Sequence, residues 1–146
     1  MPPRKPSAAQ ANAHDLMQAM GVLLRRVRGE AAGAQGPSWS QAAAMARLDK
    51  AGPMTTAELA RAEMVKPQSM GALLAELEQD GLVRREPHPT DGRQILFSLT
   101  DAGVQARRRR QAAKLAWLTA AIERFDADEQ RTLVAAIELV KRLGAQ

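Results

Sequence analysis

A mainly α-helical fold with one small β-hairpin is what this sequence predicts, on three observations. Apolar residues recur at helical spacing along most of the chain. Capping signals led by Ser, Thr and Asp stand just ahead of those stretches. Aromatic residues make up only 3% of the chain, so a core must be built from Ala, Leu, Val, Ile and Met, a set that favours helices. At 146 residues, 45% hydrophobic and 25% charged, the chain has the size and composition of one globular domain with a real core.

Taken in order, Leu16, Met17, Met20, Leu23, Leu24 and Val27 form one apolar stripe and define a first helix after a frayed start. Arg25, Arg26 and Arg28 should end it, suiting the negative end of the helix dipole, and Gly29, Gly33, Gly36 and Pro37 should break the pattern. Ser38 and Gln41 form a capping-box pattern, so a second helix should run through Met45 and Leu48 to a stop at Ala51-Gly52-Pro53. Thr55 and Glu58 repeat the signal and open a short helix to about Ala62, with Glu63 to Lys66 as a turn. Pro67 suits the first turn of the next helix, whose core face is Met70, Leu73, Leu74 and Leu77 and whose end is Asp80-Gly81. Leu82 to Glu86 reads as a strand and Gln94 to Leu99 as its partner, with Ile95, Phe97 and Leu99 alternating against Gln94, Leu96 and Ser98. Between them, Pro87 to Arg93 is too long for a two-residue turn and makes a protruding loop stiffened by two prolines. A long helix runs from Thr100 to about Arg124, its apolar face marked by Leu115, Leu118, Ile122 and Phe125. Asp126 to Glu129 cap a last helix lined by Leu133, Ile137, Val140 and Leu143 and ended by Gly144.

Composition removes several function classes. The absence of Cys excludes a disulfide framework, a thiolate nucleophile, a thiol switch and Cys-ligated zinc. Two distant histidines, with no HExxH spacing, no Gly-rich phosphate loop and no nucleophile motif, leave almost nothing for catalysis, so no enzyme activity, metal or cofactor is expected. No apolar run approaches a membrane span and Met1 to Gln10 has no leader pattern, so a cytoplasmic, soluble protein is expected. A net charge of +5 favours an anionic partner such as nucleic acid without naming it.

Two short helices, a turn and a hairpin compose a winged helix-turn-helix, a fold that places its second motif helix in the major groove and its hairpin loop beside the backbone or minor groove. From Met54 to Gly103 the chain resembles the multiple antibiotic resistance regulator (MarR) family. The resemblance rests on Leu77-Glu78 with Gly81-Leu82-Val83, on Asp91-x-Arg93, and on Leu99-Thr100-x-x-Gly103, all in order. Outside those residues the flanking helices match in number, length and amphipathic character. The resemblance implies a homodimeric transcriptional regulator in which the N- and C-terminal helices form a helical dimerisation domain. The expected division is a tail and dimerisation helix at 1–35, the winged helix-turn-helix at 36–100 and C-terminal dimerisation helices at 101–146. It further implies a pseudo-palindromic double-stranded DNA operator, repression by promoter occupancy, and a small-molecule effector bound between the two parts; a Trp with a His, Trp39 and His14, suits an aromatic or phenolic acid.

Carried onto this chain, the resemblance assigns DNA contacts to Thr56, Lys66, Gln68, Ser69, Gly71, Arg85, Asp91 and Arg93. Lys66, Gln68 and Ser69 fall in the first turn of the second motif helix, where polar side chains reach base edges or phosphates; a solvated helix start is the plain alternative. Gly71, Ala72 and Glu76 depart from the family, whose members often carry Thr or Arg facing the DNA there. Asp91 and Arg93 resemble the wing-tip pair whose Arg enters the minor groove, against the plain alternative of an exposed ion pair worth about 0 to 1 kcal/mol; Gly92 stands where a second Arg is frequent. Residues 53–100 hold five basic against seven acidic side chains, a net of −2. That balance keeps a rival reading open, a winged-helix module that grips a protein partner without reading DNA. The run Arg107 to Arg110 points in nearly all directions on a helix and forms no single stripe. For the effector, His14, Met17, Trp39 and Met45 are the candidate pocket residues, with plain core or dimer packing as their alternative.

Overall fold

Capping chemistry sets most of the helix starts. The computed structural model describes residues 7–32 and 36–145; the expected frayed start before residue 7 and the break at Gly33 lie outside the described residues. Helix α1 (Ala8–Ala32) begins well before Leu16, because Ser7 Oγ accepts from the Gln10 N–H while the Gln10 side chain takes the Ser7 N–H. It also runs through Gly29, so Arg25, Arg26 and Arg28 are not its last turn. A helical Gly costs only about 1 kcal/mol against Ala, and an Arg26–Glu30 ion pair of 2.9 Å spans the position.

Helix α2 (Trp39–Ala51) starts on the Ser38–Gln41 capping box and stops at Gly52, whose φ of 82° needs a residue without Cβ and whose N–H reaches Leu48 O. Strand β1 (Met54–Thr55) follows and leads straight into α3 (Thr56–Ala62), capped by Thr55 and Glu58. A two-residue strand has no periodicity, which is why the sequence did not signal it. Helix α4 (Pro67–Gln79) has Pro at its first position, as expected.

Strands β2 (Val83–Pro87) and β3 (Ile95–Leu99) are antiparallel, with Val83 opposite Leu99 and Pro87 opposite Ile95. Sheet order is β1-β3-β2. Pro87 is tolerated at an edge strand, where its missing N–H breaks no ladder. The alternation expected along β3 is incomplete, since Phe97 and Ser98 are both buried and Ile95 is exposed. Ser98, 8% exposed, is satisfied by donating to Glu86 Oε1 at 2.7 Å.

Helix α5 (Asp101–Ile122) is capped by Thr100, and α6 (Ala127–Gly144) by Asp126 with Glu129. Thr100 also donates to Gly81 O at 2.6 Å and its N–H reaches Leu82 O, tying the end of β3 to the start of β2. Gly103 is obligatory there: a Cβ on it would lie 2.1 Å from Leu82 O.

The core lies inside the winged helix-turn-helix. Ala44, Met45 and Leu48 of α2, Leu59 and Ala60 of α3, Met70, Leu74 and Leu77 of α4, Val83 and Phe97 interdigitate. Helix α1 packs on α5, but α6 buries none of its described residues, and Val134, Ile137, Leu139, Val140 and Leu143 face outward. No described helix is long and apolar enough to cross a membrane.

Candidate nucleic-acid interface

The α3–turn–α4 unit is built by two local devices. Thr55 Oγ1 accepts from the Glu58 N–H at 3.2 Å, and Glu58 Oε2 takes the Thr55 N–H at 2.8 Å. These bonds hold the Glu58 carboxyl below its ordinary range, the Thr55 backbone N–H contributing most. The turn is closed by Val65 N–H to Ala60 O at 2.9 Å, and it forces Met64 to a φ of 53° with the residue 93% exposed.

With Leu74, Leu77 and Met70 buried, α4 presents Gln68, Ser69, Ala72, Ala75, Glu76 and Gln79 outward. Lys66 occupies the N-cap without making a side-chain cap, so it, Gln68 and Ser69 are exposed beside the first turn. Gly71 is half-buried. Glu76 Oε2 accepts from Gln41 Nε2 at 2.9 Å, fastening α4 to the start of α2. Thr56, half-buried, lines a shallow cleft with Arg61, Arg93 and Gln94, so the start of α3 and the wing meet.

The wing loop is organised by its own side chains. Asp91 Oδ1 accepts from the Arg93 N–H at 3.0 Å and Oδ2 from Gln94 Nε2 at 3.2 Å. Asp91 therefore holds the Arg93 backbone, and the guanidinium is exposed to solvent. His88 Nδ1 accepts from the N–H groups of Thr90 and Asp91 at 3.2 and 3.1 Å. Arg85 is differently placed: its Nε lies 3.1 and 3.0 Å from the two Glu78 carboxylate oxygens, and its guanidinium sits 5.5 Å over the Phe97 ring. It clamps β2 to α4. On the same strand, the Ser98 hydroxyl and then Arg84 hold Glu86 below the ordinary carboxylate range.

A separate cavity of about 460 Å³ lies between α2 and α5. Trp39 and Met45 line it; His14 and Met17 do not, His14 bonding Gln18 on the exposed side of α1 and Met17 being 71% exposed. Its other wall is basic, from Arg107, Arg110 and Lys114. These three recur at intervals of three and four on α5, a stripe that attention to the Arg107–Arg110 run alone misses. Arg107 pairs with Asp49 at 3.0 Å and Arg110 donates to Pro37 O at 2.8 Å, while Arg110 Nε is buried without a partner among the described residues. Arg28 lies 3.7 Å over the Trp39 ring. Burial first, and then Arg110, Arg107 and Arg28, push Lys114 below the ordinary lysine range.

Known proteins share both sequence and fold. The MarR family profile matches residues 38–95. An uncharacterized HTH-type transcriptional regulator of Mycobacterium leprae is 36% identical over 132 residues, 90% of this chain and 91% of the relative. A solved structure from Pseudomonas aeruginosa PA01, classed as a transcriptional regulator, is 31% identical with a TM-score of 0.81, covering 97% of this chain and 99% of its own. A mutant MepR of Staphylococcus aureus bound to an oligodeoxyribonucleotide shares the fold at 15% identity, with a TM-score of 0.72 over 92% of this chain and 96% of its own. With the winged helix-turn-helix, its small three-stranded sheet and these relatives in agreement, the chain belongs to the MarR family of transcriptional regulators.

Proposed function

We propose that two copies of this chain grip a pseudo-palindromic duplex and repress transcription by occupying a promoter. One arrangement supports this reading above all: the exposed polar first turn of α4 stands beside a wing that holds Arg93 by its backbone and leaves the guanidinium exposed. The first element suits base edges and phosphates in the major groove, and the second suits the negative potential of a narrow minor groove. The fold neighbour bound to an oligodeoxyribonucleotide adds support. Residues 1–35 and 101–146 would pair the copies, since α1 and α6 expose more large apolar side chains than a monomer keeps in water. Two recognition helices would then lie about 34 to 36 Å apart, one helical turn of DNA.

The cavity between α2 and α5 suits an anionic aromatic effector, with Trp39 for the ring and Arg107, Arg110 and Lys114 for the charge. Such a ligand would release DNA by binding more tightly to dimers whose heads are wrongly spaced. Selection of the purified protein against random duplex DNA at physiological salt tests the whole reading. An enriched two-fold-symmetric site, shed on addition of an aromatic carboxylate, is the expected result. A folded dimer that enriches nothing would favour the protein-interaction module, a rival that the −2 charge of residues 53–100 keeps in play.

A further inference from the structure

The wing loop has an unusual acceptor. Pro89 lacks an N–H, and Pro87 and Pro89 flank His88 with fixed φ. Gln94 O takes the His88 N–H at 3.2 Å and Asp91 O takes the Gln94 N–H at 3.0 Å, closing the base of the loop. The N–H groups of Thr90 and Asp91, by contrast, have the His88 ring as their acceptor among the described residues: Nδ1 lies 3.2 and 3.1 Å away, with Thr90 Oγ1 at 3.4 Å. This is the work an Asn or Asp side chain does in an Asx-turn, bonding backbone N–H groups two and three residues on. Asp91, so held, in turn fixes the Arg93 N–H and the Gln94 side chain.

We infer that His88 is a positioning residue for the wing tip, presenting Arg93 to DNA only while its Nδ1 is unprotonated, so that acid loosens the tip and weakens operator binding. The inference rests on the DNA-binding reading above. Its chemistry is plain. A neutral imidazole protonated at Nε2 offers one lone pair at Nδ1, whereas the imidazolium carries a hydrogen there and accepts nothing. Protonation therefore turns an acceptor of two N–H groups into a donor pointed at them. Histidine is the side chain whose ordinary titration falls at about pH 5 to 8. Glu58 at the start of α3 lies within Coulombic reach of the ring, and Asp91 donates its N–H to it; Arg61 neighbours Glu58, and Arg93 is bonded to Asp91 through its backbone N–H. Glu58 and Asp91 carry the sign opposite to an imidazolium; Arg61 and Arg93 carry the same sign.

His88→Asn keeps an acceptor in the same place and removes the titration, whereas His88→Ala removes the acceptor. Affinity for the selected operator, followed from about pH 8 to about pH 5.5, should fall about tenfold more steeply for the wild-type chain than for His88→Asn, the size expected for losing one or two neutral hydrogen bonds. At the upper pH, His88→Asn should bind like wild type and His88→Ala about tenfold more weakly. Binding of wild type to random-sequence duplex should not fall with acid, because the ring gains a positive charge. Superimposable pH profiles for wild type and His88→Asn, or a His88→Ala variant as tight as wild type at the upper pH, would overturn the inference. Amide exchange of Thr90 and Asp91 in the free protein gives a readout without DNA: slower in wild type and His88→Asn than in His88→Ala at the upper pH, and equal in all three if the ring holds nothing. A wild-type chain that selects no duplex at any pH would instead defeat the DNA-binding reading and leave the exchange result to decide the role of His88.

Discussion

Arg93 is the side chain on which operator affinity should depend most visibly, because Asp91 fixes its backbone while the guanidinium is left exposed. Arg93→Ala should weaken operator binding about tenfold, lower the salt dependence by about one counterion and leave the melting temperature unchanged. Titrations at several salt concentrations check it, and unchanged affinity at physiological salt would remove the residue from the interface. The Asp91-x-Arg93 motif was visible in the sequence; the role of His88 was not, because it acts through backbone N–H groups that leave no spacing signal. Charge alone also gave no way to see that Arg85 is held by Glu78 seven residues away. Met64 was likewise unreadable, since only the closed turn reveals its φ of 53°. A left-handed conformation costs a non-glycine residue roughly 1 to 2 kcal/mol, and glycine gives back about 0.5 to 1 kcal/mol in chain entropy. Met64→Gly should therefore stabilise the fold by about 0.5 to 1 kcal/mol in urea unfolding; a less stable variant would show that the exposed thioether makes contacts of its own.

Elements were most legible where a start signal and an apolar stripe coincided, as in α2, α4 and α6, and least legible where a single residue had to decide. Gly29 was weighed as a breaker, yet helical neighbours on both sides and the Arg26–Glu30 pair outweigh its intrinsic cost. Strand β1 depends wholly on pairing with β3, which no local pattern encodes. The capping box of α3 offers a test at this scale. Thr55→Ala removes the hydroxyl acceptor at the Glu58 N–H and should cost about 1 kcal/mol. Glu58 has its carboxyl lowered by the Thr55 N–H and hydroxyl it accepts, so its contribution is fully present above the ordinary carboxylate value of 4.5 and is lost as pH falls through the lowered folded value. Glu58→Gln should thus be less stable than wild type near neutrality, and the gap should close on acidification below that range. A gap that stays constant with pH would mean that the charge on Glu58 contributes nothing to the cap.

At the scale of the molecule, burial is lopsided. The buried core belongs to α2, α3, α4 and the sheet, whereas the long helices contribute little beyond Gly103, where α5 meets Leu82. Periodicity revealed the apolar stripe of α6, but only the fold shows that no described residue covers it. An amphipathic helix gains most of its stability from packing that stripe, and in the proposed dimer a second copy would supply a surface with matching stripes. Ile137 and Val140 sit one turn apart on that face. Replacing both with Asp puts two charges where an apolar interface should close and leaves the winged helix-turn-helix core untouched. Light scattering should then report a monomer whose urea unfolding of the core is retained. Operator affinity should fall by about 100-fold or more, because linking two half-site contacts multiplies affinity by roughly 10² to 10⁴ without any new contact. A double variant that remains dimeric and binds the full operator as tightly as wild type would place the subunit interface elsewhere. A monomeric variant that binds the operator undiminished would show that a single winged head carries recognition alone.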